Sequence, residues 1–334
     1  LILAILLILF SISGIIMNHR QTFSAFSVDR KFLPDEYTYR NWNLAAVRST
    51  EKIGNDSILL YGTIGIWLTD STFRNFTDFN EGFPKGIDPR KTFKVSYTAD
   101  QRILAGTLFG LYEYQRDRQQ WKSIELPLHE KNVVDMLVKG DSILIMTRSH
   151  LMLTHDLQHF RVLDLPDPAG YDDKVGLFKT LWVIHSGEVY GKIGKLLVDL
   201  VAVVFIFLAI GGTWMYIGKK KLKKSKLQKD ERKTIKTHFK WHFRWHKKVG
   251  WIMALLLGIT TLTGIFLRPP LLIPIANTKV KKIPHTELDT PNPWYDVLRR
   301  IIYLPEQQRY VISTAEAFYF SDDEFTSLQR FETQ

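Results

Sequence analysis

One stretch constrains this chain more than any other. Over residues 219–267 a densely basic run leads through three histidines straight into a long apolar segment. Between Lys219 and Lys248 there are 14 Lys and Arg against only Asp230 and Glu231, a local charge of +12. The whole 334-residue chain carries +11, so everything else sums to −1. A basic chain ordinarily points to nucleic acid or acidic partners. Here the charge sits in one loop flanked by apolar runs long enough to span a bilayer, the pattern of the cytoplasmic side of a membrane protein. The expected partner is therefore the lipid bilayer and not nucleic acid.

Three apolar runs follow from this reading. Residues 1–17 are apolar apart from Ser11, Ser13 and Gly14. Seventeen residues is the short limit for a span. The run opens at Leu1 without a methionine, so the helix is expected to be truncated. A signal peptide is the alternative, but Met17-Asn18-His19-Arg20 offers no small-residue cleavage site. Residues 181–217 form the second membrane element, with an apolar core over 196–217. Lys195 and Asp199 stand one helical turn apart near its start and can pair. Residues 249–267 form the third, stopped by Arg268-Pro269-Pro270. The chain has no cysteine, which excludes disulfides, thiolate metal sites, iron–sulfur clusters and cysteine catalysis.

The soluble sequence reads as β-rich. Residues 20–180 contain short alternating runs bounded by Gly, Asn, Asp and Pro. Leu59-Leu60-Tyr61-Gly62-Thr63 leads to Gly65-Ile66-Trp67-Leu68-Thr69, and Leu104-Ala105-Gly106-Thr107 leads to Gly110-Leu111-Tyr112. Ile143-Leu144-Ile145-Met146-Thr147 leads to His150-Leu151-Met152. A spacing of about 40 residues suits propeller blades or a sandwich of repeated hairpins. Tyr310-Val311-Ile312-Ser313-Thr314 is a fourth copy, beyond the last span, so the two soluble pieces can form one domain. With no closing element before Gln334, the C-terminal end is also expected to be truncated.

The expected architecture is a transmembrane helical bundle with a periplasmic β-rich domain whose repeats suit propeller-like blades or a sandwich of hairpins. Its parts are helix 1 at 1–18, a β-repeat domain at 19–181, and helix 2 at 182–217. A basic cytoplasmic loop at 218–248, helix 3 at 249–268 and a periplasmic segment at 269–334 follow. Three spans are visible and a fourth is expected to be missing. The setting is a bacterial inner membrane.

Spans one and three align without gaps at an offset of 250, so that Ser13-Gly14 falls on Thr263-Gly264. Small residues paired with hydroxyls let helices approach closely in lipid.

Histidine is the candidate chemistry. His19 ends the first span, His185 begins the second on the same side, and His238, His242 and His246 precede the third at spacings of four. That spacing puts the last three on one helical face. Two histidines on facing helices can hold a b-type haem in a bundle. An outer site would draw on His185 and His19, an inner one on His246. The alternatives are ordinary: interfacial cations at His246 and His19, a loop histidine at His185, and an aromatic-anchored interfacial helix for His238 and His242. A zinc site on the His238–His242 pair is a further option, although no Glu follows the first His. Asp199, a carboxylate within a span, is a functional candidate by default.

Trp182-x-x-His185-Ser-Gly-x-x-Tyr190-Gly191-x-x-Gly194, with Gly211-Gly212 and Trp214 at the far end, resembles the second helix of the PepSY-associated transmembrane family. His246-x3-Gly250 with Thr263-Gly264 and Pro269-Pro270 resembles that family's His…Gly…Thr-Gly helix. Ser13-Gly14 with Asn18-His19-Arg20 looks like the outer end of its first helix. The resemblance covers the spans and leaves out the β-repeat part. It implies an inner-membrane ferric-siderophore reductase-like protein that carries one or two haem b groups and passes electrons to a periplasmic acceptor in iron uptake. It also implies His185 and His246 as axial iron ligands, with His19 a weaker one. The implied partners are a ferric siderophore and a cytoplasmic electron donor. No catalytic acid or base is needed, since the protein supplies ligation and docking. The rival is a non-enzymatic, membrane-anchored periplasmic β module that binds or regulates a partner; a third and weaker reading is a sensor whose basic segment contacts a cytoplasmic protein. The basic loop itself reads as a topology determinant that attracts anionic lipid.

Overall fold

The structure, a computed structural model, describes residues 1–26, 29–34, 46–168, 170–223 and 228–331. Four residues of the basic loop, Lys224 to Leu227, lie outside the described residues, as do the last three of the chain. The chain divides into two compact units. One comprises Leu1–Arg20 and Asp172–Thr290, the other Gln21–Tyr171 and Pro291–Gln334.

Among the described residues the second unit is built from four antiparallel sheets, each a meander of four strands in chain order. The first holds β1 (Ser49–Lys52), β2 (Ile58–Gly62), β3 (Gly65–Thr69) and β4 (Phe76–Asp78). The second holds β5 (Thr92–Tyr97), β6 (Ile103–Thr107), β7 (Gly110–Gln115) and β8 (Gln120–Ile124). The third holds β9 (Val133–Lys139), β10 (Ser142–Thr147), β11 (Leu151–Thr154) and β12 (Arg161–Leu163). Beyond the helices, β15 (Leu298–Leu304), β16 (Arg309–Thr314), β17 (Phe318–Ser321) and β18 (Gln329–Arg330) make the fourth. The hairpin repeats of the sequence are the β2–β3, β6–β7, β10–β11 and β16–β17 pairs, and the fourth copy joins the first three in one unit. The described residues show several antiparallel sheets and no closed barrel or ring.

Local chemistry explains the repeat. Thr107 and Thr147 end the second strands of their sheets, fully buried. The Thr147 hydroxyl accepts the His150 N–H at 2.9 Å and donates to Glu130 at 2.7 Å, and the Thr107 hydroxyl donates to the Gly110 carbonyl three residues on at 3.0 Å. Thr314 does the same to Ala317 at 2.8 Å and accepts that residue's N–H at 2.9 Å. A threonine thus closes each of these hairpins by satisfying backbone groups that the turn leaves free. Consecutive sheets share cores: Leu59, Ile66, Val95 and Trp121 between the first and second, Leu104, Val133 and Ile145 between the second and third, and Leu144, Leu298 and Ile312 between the third and fourth. Gly106 is a glycine because a Cβ there would come within 2.7 Å of Val133 in the next sheet.

A buried carboxylate also links neighbouring sheets. Asp135 on β9 accepts the backbone N–H of Met136 and of Ile301 on β15, both at 3.0 Å. Burial pushes its carboxyl up, with these donors and the Arg300 guanidinium working against the rise. Glu130 is different. Burial alone would raise it, but hydrogen bonds from His150, Thr147 and Ser149 outweigh that and hold it below the ordinary Glu value.

The other unit holds the helices. They are α1 (Ile2–Asn18), the one-turn α2 (Arg20–Phe23) at its boundary, α3 (Leu177–Ser186), α4 (Gly191–Leu222), α5 (Lys229–Ile265) and the short α6 (Leu272–Ile275). A ribbon of β13 (Lys174–Gly176) and β14 (Lys279–Lys281) ties the ends of the helical segment together. Two helices, the segment Glu188–Leu222 and α5, are long and apolar enough to cross a membrane; α1 is a shorter apolar helix of 17 residues. The second membrane element is not one rod as its hydropathy implied. It breaks at Gly187, which has φ +80° and ends α3 in the left-handed region. The basic stretch departs from a loop as well. From Lys229 onward it is helix, because Lys, Arg, Glu and Thr run to Val249 with neither Gly nor Pro to interrupt them.

A depressed native carboxyl adds stability above its unfolded pKa that is lost as the pH falls through the native value. Glu130→Gln is therefore expected to flatten the acid limb of thermal stability. The melting temperature of the wild-type chain should fall more steeply than the variant's below about pH 4.5, where an unfolded Glu begins to take up protons.

Candidate functional site

The site is built where α3 meets α5. His185 stands in the last turn of α3, and its Nδ1 lies 3.0 Å from the carbonyl of Thr260 and 3.3 Å from Thr263 Oγ1, both on α5. A carbonyl only accepts, so Nδ1 is the donor in this contact. Gly264 makes the contact possible, since a Cβ there would come within 2.9 Å of His185 Cε1. Thr263 is buried and donates its own hydroxyl to the Ile259 carbonyl at 2.7 Å. The Thr-Gly pair thus has two functions: the glycine opens a socket and the threonine lines it.

Three glycines set the histidine's position. Gly187 takes the left-handed conformation, and Gly191 has φ +56°. A Cβ on Gly194 would collide with the Gly187 carbonyl, and one on Gly187 with the carbonyl of Gly194. The chain therefore folds back on itself between α3 and α4 at a spacing that no side chain fits. Val183, Val189 and Leu288 pack beneath the turn.

At the other end of α5 the histidine face meets α4. A Cβ on Gly211 would lie 3.6 Å from His242 Nδ1 and 3.9 Å from His246 Nδ1, and one on Gly212 would lie 3.6 Å from His246 Cε1. Trp214 stacks on His242 with ring centroids 5.0 Å apart, and lies 5.5 Å from His238. The Nδ1 atoms of His242 and His246 are buried without a hydrogen-bond partner among the described residues. Orphaned buried imidazole nitrogens are uncommon and call for an explanation.

His19 goes elsewhere. Its Nε2 is 2.6 Å from Asp199 Oδ2, and Asn18 donates to Asp199 Oδ1 at 3.0 Å. The pairing of Asp199 with Lys195 that sequence spacing allowed does not form. Lys195 turns to Glu188 at 2.8 Å, leaving Asp199 to hold α1 against α4. Among the described residues no group of three or more His, Cys, Asp or Glu side chains is gathered as a metal site. The Thr260 carbonyl was invisible to sequence reading, because a backbone group leaves no residue signature. The one available hint was Thr260-x3-Gly264, which places both on one helical face.

The family model for the PepSY-associated TM region matches residues 149–304. The match supports the PepSY-associated TM family. It takes in the His185 turn, the Gly211-Gly212 face, the α5 histidines and the Thr263-Gly264 socket, and it leaves His19 outside. Together with the two long apolar helices it supports a membrane location. No curated protein matches the chain. Two solved structures of an extracellular domain from B. thetaiotaomicron are similar, one named as part of a one component system and the other of a hybrid two component system. They are 22% and 23% identical, each with a TM-score of 0.31, covering 35% of this chain. The chain spans 16% of the length of either.

Gly264→Ala forces the imidazole out of its socket and is expected to destabilise the membrane unit by about 1–3 kcal/mol. Gly250→Ala, at a glycine with nothing within 4 Å of its notional Cβ, should leave the melting temperature in detergent unchanged. In a His185→Ala background the cost of Gly264→Ala should vanish, which a double-mutant cycle reads directly.

Proposed function

We propose that the chain is a membrane haem protein of the PepSY-associated type, which passes electrons across the bilayer to an acceptor on the β-unit side of the membrane. The acceptor class the family resemblance implies is a ferric chelate such as a ferric siderophore, with a cytoplasmic electron donor. The observation that carries the reading is the state of His185. Its Nδ1–H is committed to a backbone carbonyl, which fixes the ring orientation, and Nε2 has no hydrogen-bond partner among the described residues. Histidines that ligate metals characteristically have this second interaction.

His185 fits an axial ligand of haem b on that ground. His246 has the placement, on the α5 face against Gly211-Gly212, and a buried nitrogen that lacks a partner. It does not have the carbonyl that fixes the tautomer at His185. His19 has its Nε2 engaged by Asp199, so it would have to give up that contact to serve. Bound haem, one group or two, would supply a reversible one-electron iron couple. The chain's own contribution is to hold imidazoles in fixed orientation within an apolar bundle. The four repeated sheets are the natural docking surface for the acceptor, and we read them as propeller-like blades facing the periplasm of a bacterial inner membrane.

A visible absorption spectrum of the purified chain, air-oxidised and then dithionite-reduced, tests this. A Soret band that sharpens with α and β bands on reduction is the expected result, and His185→Ala should remove the signal of one haem. A flat spectrum from folded protein grown with ample haem would overturn the reading. It would leave the membrane-anchored β module, with its histidines as packing residues, as the better account.

A further inference from the structure

Helix α5 has two opposite faces, and the function above uses only one of them. His238, His242 and His246 face α4. Two residues further round, roughly 200° away at 100° per residue, Lys240 and Arg244 head a second stripe. With Phe243, Lys247, Lys248 and Trp251 they line a shallow, open depression on the helix surface. The stripe continues along the same face into the apolar half of the helix through Leu255, Gly258 and Leu262. Trp251, Leu255 and Leu262 are 83%, 74% and 62% exposed. A Cβ on Gly258 would meet nothing within 4 Å, so the helix surface is open there.

The charge of this depression is uncompensated. The only acids on α5 are Asp230 and Glu231, in its first turn. None of the four cations at the depression has a carboxylate partner among the described residues. Lys248 lies over the Trp245 ring at 5.3 Å, which leaves its ammonium free to take an anion as well. Cations and an indole stand at the junction, and open aliphatic surface begins one turn further on. The ligand that matches both halves carries a phosphate at one end and acyl chains at the other.

We propose that this face of α5 is a binding site for one anionic phospholipid. Lys240, Arg244, Lys247 and Lys248 take the headgroup phosphate, and an acyl chain lies along Trp251, Leu255, Gly258 and Leu262. General attraction between a basic segment and an anionic leaflet acts at a distance and has no fixed stoichiometry. Clustered cations with an aromatic rim and an aliphatic continuation along one helix face make the narrower claim of a retained molecule at a defined place.

The test uses the full chain in phosphatidylcholine vesicles containing a minor fraction of phosphatidylglycerol, with bromine on the acyl chains of one lipid or the other. Bromine quenches nearby tryptophan, and the difference between wild type and Trp251→Phe isolates the Trp251 signal. Brominated phosphatidylglycerol should quench that signal more strongly than the same fraction of brominated phosphatidylcholine. Arg244→Gln should lower the preference by about fivefold, the effect of one basic residue near an anionic surface. Lys240→Gln, Arg244→Gln, Lys247→Gln and Lys248→Gln combined should abolish it. Equal quenching by both lipids, or a preference surviving the fourfold variant, would overturn the site. Absence of quenching by either lipid would mean that protein covers the depression, from a second copy or another helix. Loss of the preference on adding excess inorganic phosphate would assign the cations to a soluble phosphate and not to a lipid. All of these substitutions lie on an exposed face, and an unchanged circular dichroism spectrum verifies that each variant folds.

Discussion

The membrane unit depends on the contact between His185 and α5. An imidazole inside an apolar bundle must find hydrogen-bond partners there, because lipid supplies none. The helix that receives it has already used its backbone groups in its own i to i−4 bonds. A carbonyl has two lone pairs, however, and the Thr260 carbonyl can accept a second donor if that donor approaches closely. Gly264 allows the approach by lacking a Cβ. Much of the local sequence follows from this one need. The histidine must sit at the end of a helix that stops, so Gly187 ends α3. The next helix must start beside it, so Gly194 approaches the Gly187 carbonyl. Glu188 and Lys195 pair across the turn they enclose.

Much of the β unit could be read in advance, because its signals are local. Two apolar runs separated by a short turn containing Thr define a hairpin with little help from elsewhere. The copies beginning at Leu59, Leu104, Ile143 and Tyr310 are legible as apolar runs leading into a second run, the last despite the intervening helices. What joins one sheet to the next was not readable. Asp135 looks like any strand carboxylate, yet it accepts the N–H of Ile301 from a strand 166 residues away. Long-range pairing of a side chain with a backbone group has no spacing to betray it.

In the helices the sequence was a fair guide to composition and a poor one to contacts. Hydropathy located the apolar runs but merged α3 with α4, since an average over a window passes across one glycine. Charge spacing paired Lys195 with Asp199, a rule that holds where two side chains have only water and each other to choose from. Inside a bundle each has a better partner on another segment, Glu188 for the lysine and His19 for the aspartate. The alignment of Ser13-Gly14 with Thr263-Gly264 is a resemblance of sequence and not of contact. Gly264 receives an imidazole, while the position of a Cβ on Gly14 has nothing within 4 Å.

The two faces of α5 place opposite demands on one helix. The face toward α4 needs small partners and flat rings, and it has three histidines against Gly211, Gly212 and Trp214. The face away from α4 has four cations and an exposed indole. A histidine is the compatible residue for the first face. It packs like an aromatic ring and, unlike the lysines at the spacing between, need not carry a charge into the helix contact. If Lys240 or Arg244 were exchanged with His242, a fixed charge would be buried against glycine backbone with no carboxylate near it, at a cost of several kcal/mol. The alternation of His with Lys and Arg along residues 238–248 is thus a two-sided pattern written at helical period. It reads as a simple basic run only when the period is ignored.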